Sequence, residues 1–266
     1  MTDMVDELME CSKTTESEVG KLTRGRYGLI RWDMDVTSDM AEIIKKAPGR
    51  YTTINCSRIF GSLRSVQNYV GKEIAKALSD YIGECKKDKV LVVGLGNGGM
   101  VADSLGVATG QRLLITGGME DWLIEELGRL YYIEPKVKGV TGVASYDIVM
   151  GVVSAIDPDI VIAIDTLCAR DVDRLCSSFQ ISDAGIMPGG GVGNFTQVLN
   201  SENLGKKVVA IGVPLIIRGR VLSACERIAR RDFTIKEIDY YIDACANVIA
   251  DGINRAVHGE KYKKYV

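Results

Sequence analysis

At 266 residues the chain is long enough to bury a large core in one or two domains. Apolar residues make up 46% and charged residues 26%, which excludes collagen-like and disordered classes, and a formal charge of −2 lacks the basic excess that nucleic-acid binding requires. With 29 glycines against 5 prolines, tight turns and close backbone approaches are expected rather than stiff linkers.

Residues 1–24 are polar and show no sustained period, so they read as a flexible extension preceding a single domain over 25–266. Residues 27–34 and 51–55 read as strands flanking a helical stretch at 40–46, with Pro48 and Gly49 as the break. Val66, Tyr69, Val70, Ile74, Leu78, Tyr81 and Ile82 recur at three- and four-residue steps and predict an amphipathic helix that closes in the polar run 86–89. Four short apolar runs follow, at 90–93, 113–116, 160–164 and 208–211, each bounded by turn residues, as strands covered on both faces are. Helices are expected at 122–130 and 146–156 among them. Thr234 and Glu237 have the spacing of a capping box, and apolar positions from Ile238 to Val257 continue a helix to His258. Strands alternating with helices predict an α/β layer fold with a largely parallel sheet.

The seven cysteines are scattered without a CxxC pair, the pattern of reduced thiols, and no secretory or membrane-spanning segment is expected because the longest apolar stretch, 208–217, is too short. The single histidine, His258, excludes histidine-rich metal sites and is expected on the surface of the last helical turn. Chemistry therefore falls to carboxylates, thiols, lysines and backbone amides.

The segment Gly94-Leu-Gly-Asn-Gly-Gly99 satisfies G-x-G-x-x-G after a strand, but only 100–110 separate it from the next predicted strand, short for a crossover helix. The alternative is that these glycines allow a tight turn and close strand–helix packing. Two carboxylates fall at the carboxyl ends of predicted parallel strands, where ligands bind in open α/β sheets: Asp103, just past the turn after 90–93, and Asp165, directly after 160–164. Neighbouring strands would project both into one crevice; capping a helix is the other use of either acid. A glycine-dense stretch, 180–194, offers successive amides for a nest or an oxyanion wall, or serves as a connector.

Seven segments carry a family resemblance: APGRYTTI (47–54), GLGNGGMVADSLG (94–106), VTGVASYDIVMGVV (140–153), PDIVIAIDTLCARDVDRL (158–175), FQISDAGIMPGGGVGN (179–194), LGKKVVAIGVP (204–214) and FTIKEIDYYIDACANVIADGINRAVH (233–258). Collinear over roughly 25–258, they resemble the germination protease family, whose members degrade small acid-soluble spore proteins. The resemblance implies a three-layer α/β/α fold with a largely parallel or mixed sheet, like the hydrogenase-maturation peptidases. It implies an atypical aspartic endopeptidase of the spore core using Asp103 and Asp165, assembled as a homotetramer from a zymogen whose pro-segment corresponds to residues 1–24 here. Asn97 and Gly191 are candidates for positioning the peptide; no cofactor, metal, nucleic acid or membrane is expected.

The departures lie around the acids. Where the family carries a tryptophan and a proline before the first aspartate, this chain has Gly98-Gly-Met-Val-Ala102. Its GIET acid is lost in Gly142-Val-Ala-Ser145, and its GIHPG histidine is Met187. These changes keep open a relative that binds a peptide without cutting it. A third reading is a carboxylate metal site formed by Asp103, Asp165 and Asp183. Arginines 218, 220, 227, 230 and 231 cluster before the last helix, as a solvated face or a contact for an acidic substrate.

Overall fold

The computed structural model describes residues 2–11, 20–59, 64–85, 88–188 and 197–266. In chain order the elements are α1 (Val5–Cys11), β1 (Gly20–Arg24), β2 (Ile30–Val36), α2 (Ser38–Ile44), β3 (Gly49–Asn55), α3 (Arg64–Ile82) and β4 (Lys89–Gly94). Next come α4 (Leu105–Gly110), α5 (Asp121–Leu127), β5 (Arg129–Ile133), α6 (Lys138–Thr141), α7 (Ser145–Ile156), β6 (Ile160–Ala169) and β7 (Ser178–Ser182). The chain ends with α8 (Ser201–Leu204), β8 (Lys207–Arg218), α9 (Gly219–Leu222), α10 (Glu226–Ala229), β9 (Asp232–Phe233) and α11 (Ile238–His258).

The strands form a mixed sheet in the order β1-β2-β3-β7-β8-β6-β4-β5, with β9 added antiparallel to β8. The strands β8, β6, β4 and β5 are parallel, and the β1–β2–β3–β7 half joins them antiparallel through β7 and β8. Successive side chains of a strand face opposite layers, so Val90 and Val92 enter the core built with α3 and α11, while Leu91 and Val93 enter the one built with α7. Both faces being covered, β4 is apolar at every position from 90 to 93, as are the predicted segments of β6 and β8. On the antiparallel half, Trp32, Met34, Val36 and Tyr51 pack against α1 and α2. The result is the three-layer α/β/α arrangement.

The structure redraws three predicted elements. Residues 113–116 are a connection, and the parallel neighbour of β4 is β5, in the register Val90↔Leu130. The connection's polar groups are satisfied without a ladder: Leu114 N–H donates to Asn254 Oδ1 at 3.0 Å, the Leu114 carbonyl lies 2.9 Å from His258 Nε2, and Thr116 Oγ1 donates to the Gly128 carbonyl at 2.7 Å. The helix predicted over 122–130 stops at Leu127, where Gly128 takes φ +88° and leads into β5 at Arg129. The expected capping box does not form: Thr234 Oγ1 donates to the Leu215 carbonyl at 2.7 Å, and α11 begins at Ile238.

His258, expected on the surface, is buried, with Nδ1 2.6 Å from the Leu127 carbonyl; burial holds its pKa below the ordinary imidazole value. It fastens the end of α11 to the 113–128 connection. Nor is the amino-terminal stretch loose where it is described, since Met4, Val5, Asp6, Glu7 and Met9 are buried and Gly20–Arg24 pairs with β2. Asp6 and Glu7 hid this packing from periodicity, because they are buried against partners rather than turned to solvent.

Candidate active site

Strand β6, which carries Asp165, and β4, whose following loop carries Asp103, are neighbours in register, Val90↔Ile160 through Gly94↔Ile164. Beyond Gly94, Leu95 N–H donates to the Ile164 carbonyl at 2.8 Å, and the chain then turns back at Gly96, whose φ is +102°. Asn97 N–H donates to the Asp103 carbonyl at 2.9 Å, and Asp103 N–H to the Met100 carbonyl at 2.8 Å, so the loop returns Asp103 to the end of β4. Asn97 Oδ1 accepts from Gly99 N–H at 3.0 Å; its side chain braces the loop that presents Asp103.

The glycines of this loop serve packing. A Cβ on Gly96 would lie 2.1 Å from the Asp103 carbonyl oxygen, and one on Gly106 would lie 2.5 Å from the Leu95 oxygen and 2.6 Å from its nitrogen. The G-x-G-x-x-G match is thus a tight strand-to-helix turn that seats α4 on β4. Gly106→Ala is expected to lower stability by about 1–3 kcal/mol, read from urea unfolding, because the obstacle is backbone with no flexible end to yield.

Asp165 caps no helix; it lies inside β6, which continues to Ala169. Its carboxylate is buried, accepts Thr166 N–H at 2.8 Å, and has its pKa pushed up to about 8, chiefly by burial and further by the charges of Asp103 and Asp3. Asp103 is partly buried, and burial raises its pKa as well, against the Asn97 amide. A buried acid raised by the charge of a second acid is the electrostatic signature of carboxylates that hold one proton between them.

Asp183 is not part of this pair. Strand β7 runs opposite to β8, so it carries Asp183 toward the amino ends of the parallel strands, where Oδ1 accepts Arg50 N–H at 2.7 Å. Among the described residues no cluster of three or more His, Cys, Asp or Glu side chains is placed to hold a metal. Gly191 lies outside the described residues, as does the rest of 189–194 at the end of the glycine-dense stretch.

One functional candidate escaped sequence reasoning. Asp165 pairs with Gly212 of β8, and Gly212 pairs with Gln180 of β7, which places Gln180 in the same row of the sheet. Gln180 is buried; its Oε1 accepts Val5 N–H at 2.7 Å and its Nε2 donates to the Asp3 carbonyl at 3.3 Å. A buried carboxamide gripping a peptide backbone beside the acid pair was readable only from the register of an antiparallel strand.

A mixed α/β sheet with a buried and a partly buried carboxyl group, both raised, where the β4–β6 ladder ends defines an α/β protein with an acid pair at the carboxyl side of its parallel strands. The sequence profile described as germination protease matches residues 6–226. The germination protease of Bacillus licheniformis is 35% identical over 230 residues, covering 81% of this chain and 62% of the relative. That of Bacillus cereus strain G9842 is 35% identical over 80% of this chain and 60% of its own, and that of Bacillus velezensis 37% over 73% and 55%. The chain therefore belongs to the germination protease family, and it spans about 60% of the length of the first two relatives. Among solved structures, the [NiFe] hydrogenase maturation protease HycI of Thermococcus kodakarensis KOD1 matches with a TM-score of 0.42 and 18% identity, over 66% of this chain and 98% of its own. Among the described residues no helix is long and apolar enough to cross a membrane.

Proposed function

We propose that this chain is an aspartic endopeptidase that hydrolyses peptide bonds in small acid-soluble spore proteins. The observation that carries the reading is the acid pair: Asp165 buried within β6, its pKa pushed up to about 8 chiefly by burial and further by the charge of Asp103, which the loop after the neighbouring β4 brings to the end of that strand. At neutral pH the pair holds one proton, residing mainly on the more deeply buried Asp165. The neutral carboxyl donates to the scissile carbonyl oxygen, and the Asp103 carboxylate takes a proton from the attacking water. As the tetrahedral adduct collapses, that proton passes to the amide nitrogen and the C–N bond breaks. Asn97 contributes by fixing the loop that aims Asp103.

The same reading makes residues 1–24 a pro-segment whose first turns are seated over the acid pair, since Met4 packs on Leu167 and Ala169 of β6. The family setting extends it to a homotetramer in the spore core. A second reading, a peptide-binding relative without cleavage, draws on Met100 and Val101, exposed apolar residues in the loop before Asp103.

Incubation with small acid-soluble spore proteins, with and without chelator, separates these readings. Protein opened by limited proteolysis before Tyr27 is expected to give discrete fragments whose yield is indifferent to chelator. Chelator-sensitive fragments would instead support a metal site. An opened, folded chain that binds the substrate intact would establish the second reading.

A further inference from the structure

Strand β6 outlasts β4. The ladder between them ends at Gly94↔Ile164, with one further bond from Leu95 N–H to the Ile164 carbonyl, while β6 continues to Ala169. Residues alternate in the direction of their backbone hydrogen bonds, so the groups of Cys168 face the side that β4 has vacated. Such an edge is a template for another strand. Here both groups of Cys168 are taken by one residue: Asp3 N–H donates to the Cys168 carbonyl at 2.7 Å, and Cys168 N–H donates to Asp3 Oδ2 at 3.0 Å. From there the segment crosses the sheet face under the Gln180 carboxamide and enters α1.

The acids of the segment meet a receptor built from the rest of the chain. Asp3 pairs with Lys46 at 3.2 Å, and Asp6 and Glu10 both pair with Arg174, at 2.6 and 3.1 Å. The Glu7 carboxylate accepts Arg170 N–H and Asp171 N–H, each at 2.8 Å. Arg174 is largely buried and Asp6 fully so. Charge-assisted bonds of this kind are the strong ones in recognition, and those to Arg170, Asp171 and Arg174 fall on the stretch that directly follows β6.

We infer that the surface covered by residues 2–10 is the docking cleft for substrate, which takes an acidic peptide as an added strand on the open edge of β6, with Gln180 gripping its backbone and Arg174 and the 170–171 amides receiving its carboxylates. This rests on the peptidase reading of the acid pair. Residues 2–10 hold the cleft in the manner of the substrate.

The test uses full-length chain carrying Asp3→Ala and Glu7→Ala, which weakens the self-docked segment, and a fluorescent peptide of residues 2–10. Anisotropy is expected to show about tenfold or tighter binding than to the unaltered chain. A peptide with D6N and E7Q should bind the same protein about tenfold more weakly. Adding Gln180→Ala or Arg174→Met should weaken the acidic peptide to a similar degree with unchanged circular dichroism. The two peptides compared on one protein keep the test decisive where a variant fails to fold. Equal binding of both peptides, or no binding, overturns the cleft. Cleavage of spore proteins with no such discrimination would overturn it while sparing the peptidase reading, and discriminating binding without cleavage would do the reverse.

Discussion

Asp103→Asn and Asp165→Asn are each expected to lower kcat/KM for peptide cleavage by about 10³-fold or more, with the far-ultraviolet spectrum and the unfolding transition retained. Asparagine preserves shape and the ability to accept Thr166 N–H, but it neither surrenders nor takes up a proton. The two acids act as a unit, so the double variant should be no slower than the worse single variant by more than a small factor. The pH profile follows from the same pair: activity should fall on the alkaline side as Asp165 loses its proton near pH 8, and on the acid side as the Asp103 carboxylate is protonated. Measured turnover of either folded variant near the unaltered rate would remove the acid pair from the mechanism.

Much of this site was legible in the sequence for one physical reason. Strands buried on both faces are written as unbroken apolar runs, so an acid placed directly after such a run, as Asp165 is, declares a position at the carboxyl edge of the sheet. The same signal misled at 113–116, because an apolar run also marks a partly buried connection packed beside a helix, and only the partners Asn254 and His258, contributed from α11, reveal where its backbone bonds go. The strand at 129–133 was hidden in the opposite way. Leu127 and Leu130 continue the helical spacing across Gly128, and the break is conformational, a positive φ that composition does not display. Strand β7 is five residues long and runs directly into the glycine-dense stretch, so Gln180 carried no pattern of its own. Its role comes from lying two strands from Asp165 in a common row, a relation that no local window contains. The amino-terminal segment was misread because periodicity assumes that charge faces water, whereas Asp6 and Glu7 are buried against Arg174 and backbone amides.

Asp165 also makes a prediction about stability that is independent of substrate. Its carboxyl group titrates near pH 8 in the folded chain and near the ordinary 3.8 when unfolded. Folding therefore takes up a proton at intermediate pH, and linkage makes the stability contributed by this group complete below about pH 4 and progressively lost as pH rises toward 8. Each unit across that window is worth about 1.4 kcal/mol for one group, so the unaltered chain should weaken by a few kcal/mol between pH 6 and 8, while Asp165→Asn should be more stable than the parent at pH 8 and show a flatter profile. Asp6, raised to about 6 mainly by burial and restrained by Arg174, adds its own slope below pH 6, which is why the comparison belongs above that point. Urea unfolding of the two proteins at pH 6, 7 and 8 reads the difference directly. Parallel slopes would mean that Asp165 ionises as freely in the folded chain as in the unfolded one, and a carboxylate that ionises freely beside Asp103 holds no proton to donate to a scissile carbonyl.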